Sequence, residues 1–100
     1  NKSSLTTASR ATLRKQATYL RKNKDLNVTI EGHADERGTR EYNLALGERR
    51  ANAAKDYLMT YGISGKRISV ISYGKEKPVN PASNGLAWSQ NRRSVTVKVN

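Results

Sequence analysis

Cysteine is absent from this chain of 100 residues, so neither a disulfide framework nor a thiolate metal site is possible. That absence does not exclude an oxidising compartment. No apolar run approaches the roughly 18–20 residues that would span a bilayer as a helix. No stretch reads as a signal peptide, and the polar start, NKSS, reads as the trimmed start of a longer precursor. Neither GxxxxGK[ST] nor GxGxxG occurs, which removes the common phosphate-cradling loops. No nucleophile–base constellation supports an enzyme. Internal repeats and low-complexity segments are also lacking. What remains fits one domain. Its 35% hydrophobic content is lean, but enough for a small core shared by helices and strands.

Acid is scarce and unevenly placed. The formal net charge is +11. Residues 1–24 hold seven Lys or Arg and no acid, whereas five of the eight acids lie between Glu31 and Glu48. A basic surface favours polyanionic partners: nucleic acid, anionic lipid or an anionic cell-wall polymer. The acids gather around one candidate site.

Periodicity gives the order helix, strand, helix, strand, irregular segment, strand. Residues 5–22 read as a helix with Leu5, Leu13, Ala17 and Leu20 in one sector and Arg10, Arg14, Lys15, Arg21 and Lys22 outside it. Residues 23–27 read as a turn. Residues 27–31 alternate as a strand with Val28 and Ile30 on one face. Residues 32–38 read as a loop. Thr39 is the expected N-cap of a second helix over 42–61, with Glu41 suiting its dipole and Gly62 stopping it. Residues 68–72 form a β-branched strand. Residues 73–90 are irregular and hold Pro78, Pro81 and the only tryptophan, Trp88. Residues 94–99 read as a half-buried strand, with Val95, Val97 and Val99 on one face and Thr96 and Lys98 on the other. The strand–helix–strand run implies a right-handed crossover and a parallel pair. The expected architecture is two helices on one face of a small sheet.

The most informative stretch is residues 32–51, GHADERGTREYNLALGERRA. At 100° per residue, Tyr42, Leu46, Ala53, Ala54, Tyr57 and Tyr61 fall on one side of the second helix, the side expected to be buried. Asn43 and Arg50 fall there too. An arginine on an apolar face needs a partner or a ligand, because burying a lone charge is expensive. The preceding loop, with His33, Asp35 and Glu36, is expected to supply it. Asp35 and Arg50 read equally well as a structural ion pair or as two ends of a binding site. His33 with Asp35 and Glu36 is a weak metal pattern, because neighbours in one short loop rarely converge on one ion. It reads instead as a loop histidine bonded to backbone.

With SYGKEKP and QNRRSVTV downstream, this stretch resembles the OmpA-like C-terminal domain family, and within it the peptidoglycan-associated lipoproteins. The resemblance covers about residues 5–99. It implies an α+β fold, a βαβαββ two-layer sandwich, here lacking the first strand and so leaving an open sheet edge. It implies one non-catalytic domain over 1–100 that binds peptidoglycan non-covalently through the diaminopimelate residue of the stem peptide. Asp35 and Arg50 stand where the family grips that residue. Asn43 orients the site or contacts the ligand, and Leu46 forms an apolar wall. Ala34, Glu36, Gly38 and Arg93 complete the implied binding set. Gly47 costs about 1 kcal/mol against Ala inside a helix, and close approach of the stem peptide or the neighbouring loop is its expected use. No cofactor or metal is implied. The implied setting is the periplasmic side of the outer membrane, in the Tol-Pal system. TolB is the implied protein partner, and the lipid anchor lies outside this chain.

Three alternatives remain at this level. The chain could be the OmpA-like domain of a larger outer-membrane or motor protein. Arg92 and Arg93 could be one solvated and one structural arginine. A basic nucleic-acid-binding domain fits the charge, but Tyr42, Tyr57 and Tyr61 lie on the expected buried face and no stacking run appears. Nucleic acid is therefore not an expected partner.

Overall fold

A computed structural model of the chain describes residues 5–76 and 93–99, and for Arg93 the backbone alone. Helix α1 spans Thr7–Lys22, strand β1 Val28–His33, helix α2 Arg40–Thr60, strand β2 Ile68–Gly74 and strand β3 Arg93–Lys98, with a 3-10 turn at Gly65–Arg67 before β2. The sheet order is β2-β1-β3. The β1–β2 pair is parallel and the β1–β3 pair antiparallel. Two helices therefore cover one face of a small mixed sheet, as expected.

The helix ends follow local chemistry. Thr6 caps α1 by accepting from the Ser9 amide, and Thr39 caps α2 by accepting from the Tyr42 amide. Past α2, Gly62 takes φ +90, the left-handed stop expected there. The far end of α1 is closed by a residue remote in sequence. The Arg67 guanidinium donates to the carbonyls of Leu20 (3.0 Å), Asn23 (2.8 Å) and Leu26 (2.8 Å). One charged fork thus bonds an open carbonyl of the last turn and two carbonyls of the segment that follows it.

The core joins Leu13, Ala17 and Leu20 of α1, Val28 and Ile30 of β1, Ala51, Ala54 and Leu58 of α2, with Ile63 and Ile68. Leu5 packs against its edge. The buried stripe of α2 is rotated from the expected one. It runs Asn43, Leu46, Gly47, Arg50, Ala51, Ala54, Leu58, while Tyr42 is 43% exposed and Tyr57 and Tyr61 are half-buried. The two later tyrosines flank α1 instead, where Arg14 donates to the Tyr57 hydroxyl and that hydroxyl lies 3.3 Å from Tyr61's. The Tyr61 contact, helped by Arg14, pulls the Tyr57 hydroxyl below the usual tyrosine range, and the same contact pushes Tyr61 up.

The β3 valines also lie opposite to a simple reading of their pattern. Thr96 pairs with Ile30 and Lys98 with Val28, so these share the helix-covered face. Val97 pairs with Thr29 on the other face and is 41% exposed. Alternation reports two faces but not which one the helices cover. The outer edge of β3 pairs with no strand among the described residues. Trp88, Pro78, Pro81, Asn91 and Arg92 lie outside the described residues.

Helix α2 lies against β1 at two glycines. A Cβ on Gly32 would fall 1.7 Å from the Gly47 carbonyl oxygen, and one on Gly47 would fall 2.3 Å from Ser72 Oγ. Gly47 thus serves the approach of the strands. The partner at Gly32 is backbone and cannot swing aside. Gly32→Ala is expected to destabilise the fold by about 3 kcal/mol or more, read as a fall in thermal midpoint of at least about 10 °C. A midpoint unchanged from the parent would contradict this packing.

Candidate functional site

The site forms where β1 ends under the first half of α2. The strand is longer than its alternation suggested. It continues through Gly32 and His33, with a register shift that pairs His33 with Gly74. The Ala34 amide extends the ladder, donating to the Gly74 carbonyl at 2.7 Å. Only the last part of the expected loop, from Ala34 on, is loop.

His33 is consequently not a loop residue shaping a turn. It is 1% exposed, its ring stacks on Tyr73 at 5.5 Å, and its Nε2 lies 3.4 Å from Glu31 Oε1. Among the described residues, no three His, Cys, Asp or Glu side chains come together as a metal site would need.

Arg50 is 7% exposed on the buried stripe of α2. Its Nη1 donates to the His33 carbonyl at 2.8 Å. The expected partner does come from this stretch, as backbone at the strand's end. Asp35 follows two residues later and is 3% exposed. Burial and connectivity thus bring both charges to one corner of the molecule.

The Asp35 carboxylate is gripped by a residue that sequence reasoning passed over. Arg37 Nε donates to Oδ1 at 3.2 Å and Nη2 to Oδ2 at 2.8 Å, and the Arg37 amide donates to Oδ1 at 3.0 Å. The two-pronged pair holds the Arg37 guanidinium above its ordinary value, through the hydrogen bond to Asp35 first, against a smaller opposing effect of burial. An Asp accepting from the amide two residues on is an Asx turn, so the Asp-x-Arg spacing before Gly38 carried a signal for this contact. The Arg37 side chain is 46% exposed, against 3% for Asp35.

The rest of the loop is fastened from several sides. Asn43, 1% exposed, donates from Nδ2 to the Arg37 carbonyl at 2.6 Å. Asn43 therefore orients the loop. Lys75 Nζ donates to the Gly38 carbonyl at 3.0 Å, and Arg40 pairs with Glu76. Gly38 has φ +91, where a side chain would be strained. Ser72 Oγ donates to the Leu44 carbonyl at 2.6 Å and accepts from the Gly74 amide, tying β2 to α2. Ala34 and Leu46 are buried at 2% and 3% beside this corner, while Glu36 is exposed. Of Arg93 the structure describes the backbone in β3, paired with His33.

The sequence pattern that defines the OmpA family matches residues 1–92. The chain belongs to the OmpA family. Among OmpA-family relatives, the peptidoglycan-associated lipoprotein of Rhizobium meliloti is 62% identical over 87 residues, which is 87% of this chain and 49% of that protein. The protein of that name from Mesorhizobium japonicum is 53% identical over 94 residues, 94% of this chain and 56% of that protein. The chain thus spans about half the length of these curated relatives. The crystal structure of the peptidoglycan-associated lipoprotein from Burkholderia pseudomallei superimposes with a TM-score of 0.95 at 38% identity, covering 99% of this chain and 84% of that one. The C-terminal domain of Helicobacter pylori MotB shares the OmpA-like fold, with a TM-score of 0.89 at 19% identity, covering 100% of this chain and 78% of that one.

Asn43 is the fastening most open to test. Asn43→Ala is expected to cost about 1–2 kcal/mol of stability, the worth of a lost bond at a buried polar group. Amide exchange over residues 36–39 should speed up in the variant. Exchange equal to the parent's would show that the loop is held by other means.

Proposed function

We propose that this chain is a non-catalytic domain that binds peptidoglycan non-covalently through the diaminopimelate residue of the stem peptide. The observation that carries the reading is the convergence of a buried Arg50 and a buried Asp35 on the end of β1. The free end of diaminopimelate bears an ammonium and a carboxylate on one carbon. Arg50 suits the carboxylate, since a planar guanidinium can hold both oxygens at once. Asp35 suits the ammonium.

The ammonium reaches Asp35 by exchange with a cation already present. Arg37 holds the carboxylate through an exposed side chain and can yield to the ligand while Asp35 stays paired. Asn43 keeps the loop in place during the exchange, and Leu46 and Ala34 supply the apolar wall. On this reading Glu36, Gly38 and Arg93 belong to the same binding set. Lysine at the same stem position offers the ammonium but no carboxylate for the guanidinium, which would set the preference for diaminopimelate-type wall.

The names of the relatives support this reading: proteins 62% and 53% identical to the chain are called peptidoglycan-associated lipoproteins. On the same reading, residues 1–100 are one wall-binding unit that tethers the outer membrane to the wall from its periplasmic side. It works in the Tol-Pal system with TolB as protein partner, and a lipid anchor outside these residues holds it to the membrane.

Sedimentation with isolated diaminopimelate-type sacculi tests it. Asp35→Ala and Arg50→Ala should each lower binding roughly 10- to 100-fold, the worth of one charge-assisted contact. Arg50→Lys, which keeps the charge and loses the fork, should also bind more weakly, and it guards against a loss due only to misfolding. Circular dichroism should match the parent. Parental binding by both alanine variants would remove the proposal.

A further inference from the structure

Helix α1 carries Arg10, Arg14, Lys15, Arg21 and Lys22 and no acidic residue. At 100° per residue the five fall within one arc of about 140°. The arc runs from the flank beside α2, where Arg14 meets Tyr57, to the outermost side of the helix. All five are exposed. The buried positions Leu13, Ala17 and Leu20 lie outside that arc. At 1.5 Å per residue the row from Arg10 to Lys22 is about 18 Å long. Among the described residues, none of these cations is in an ion pair with a carboxylate. A row of one sign without counter-charges keeps a positive potential off the surface.

The row is also remote from the site above. Arg67, just before β2, ties down the last turn of α1. That places the C-terminal half of the row beside the beginning of β1, whereas Asp35 and Arg50 sit past its other end. The wall-binding corner therefore does not use these charges.

We infer that the outer face of α1 docks on the anionic headgroups of a phospholipid bilayer. The face is convex, and its long side chains can all reach one plane. A single polymer strand is better held by a groove along the row, and neither cavity beside α1 is one: one opens on the opposite flank, lined by Gln16, Tyr19, Leu20 and Val28, and the other sits at the C-terminal end of the helix, where of the five cations only Lys22 lines it, together with Lys24 and Asp25. The uncharged positions within the arc are Thr7, Ala11 and Thr18, too small or too polar to insert among acyl chains. The contact is therefore electrostatic and peripheral, and it weakens with salt. With the wall held at one end of the domain and headgroups met by α1, the two surfaces can be occupied together.

The test is co-sedimentation of the 100-residue chain with vesicles of phosphatidylglycerol mixed with phosphatidylcholine, and with vesicles of phosphatidylcholine alone. The parent should bind the anionic vesicles only, and lose binding as salt shrinks the Debye length from about 30 Å to about 8 Å. The triple variant Lys15→Gln, Arg21→Gln, Lys22→Gln should bind roughly 100-fold more weakly, about fivefold per charge. A control with the same charge loss elsewhere, Arg49→Gln, Lys55→Gln, Lys66→Gln, should keep most binding. Sacculus binding by the α1 variant, measured in parallel, should match the parent. Equal losses in the two triples would reduce the effect to net charge and overturn the inference. So would binding to neutral vesicles, or no binding to anionic ones. Loss of sacculus binding in place of vesicle binding would assign the row to the wall polymer and also overturn it.

Discussion

Helix α2 touches strand β1 with no side chain between them, and the candidate site takes its geometry from that contact. The approach at Gly32 and Gly47 sets the height of the helix over the sheet. One turn further on, that height lets Arg50 reach the carbonyl of His33. A guanidinium at this depth would be costly without a fixed acceptor. The strand supplies one in the carbonyl of its last residue. Ser72 reinforces the contact from β2 by bonding a carbonyl of the same helix. Glycine inside a helix looks like a defect in isolation, and here it is the condition for the docking.

The loop after β1 works by the same economy of local contacts. Asp35 is held by its own turn and by the Arg37 fork, and Asn43 of the helix holds the carbonyl of Arg37. A short loop is thereby fixed without a disulfide or a metal, in a chain that has no cysteine. The arrangement pairs a buried carboxylate with a cation that is itself half in solvent. Such a pair can be exchanged for a ligand cation more cheaply than a bare buried carboxylate can be formed.

Much of this was legible in the residues. Helix existence, the Thr39 cap, the Gly62 stop and the Val28–Ile30 strand all follow from local chemistry, and local chemistry decided them. The placement of Asn43 and Arg50 on the buried side of α2 also followed from periodicity. What was not legible depended on partners far along the chain. The α2 stripe includes Ala51 and Leu58 and leaves Tyr42 out because α1 and β1 choose the face, and tyrosine is amphipathic enough to sit on either boundary. β1 runs on through His33 because Gly74 offers it a pairing partner across the sheet. The exposed valines of β3 follow from which face the helices occupy. Arg37 was overlooked because a charged residue in a polar loop is usually solvated, and only the Asx-turn spacing hinted otherwise. The matching of the chain to peptidoglycan-associated lipoproteins rested on the ordered run of motifs, a kind of information that hydrophobic period does not contain.

The central claim is that a doubly charged amino-acid end is held at the end of β1, between Arg50 and Asp35. Titration calorimetry with two soluble muropeptides differing at one stem position addresses it most directly. The account predicts that the diaminopimelate form binds and that the lysine form, lacking the carboxylate, binds roughly 10- to 100-fold more weakly. Equal affinity for the two would contradict it.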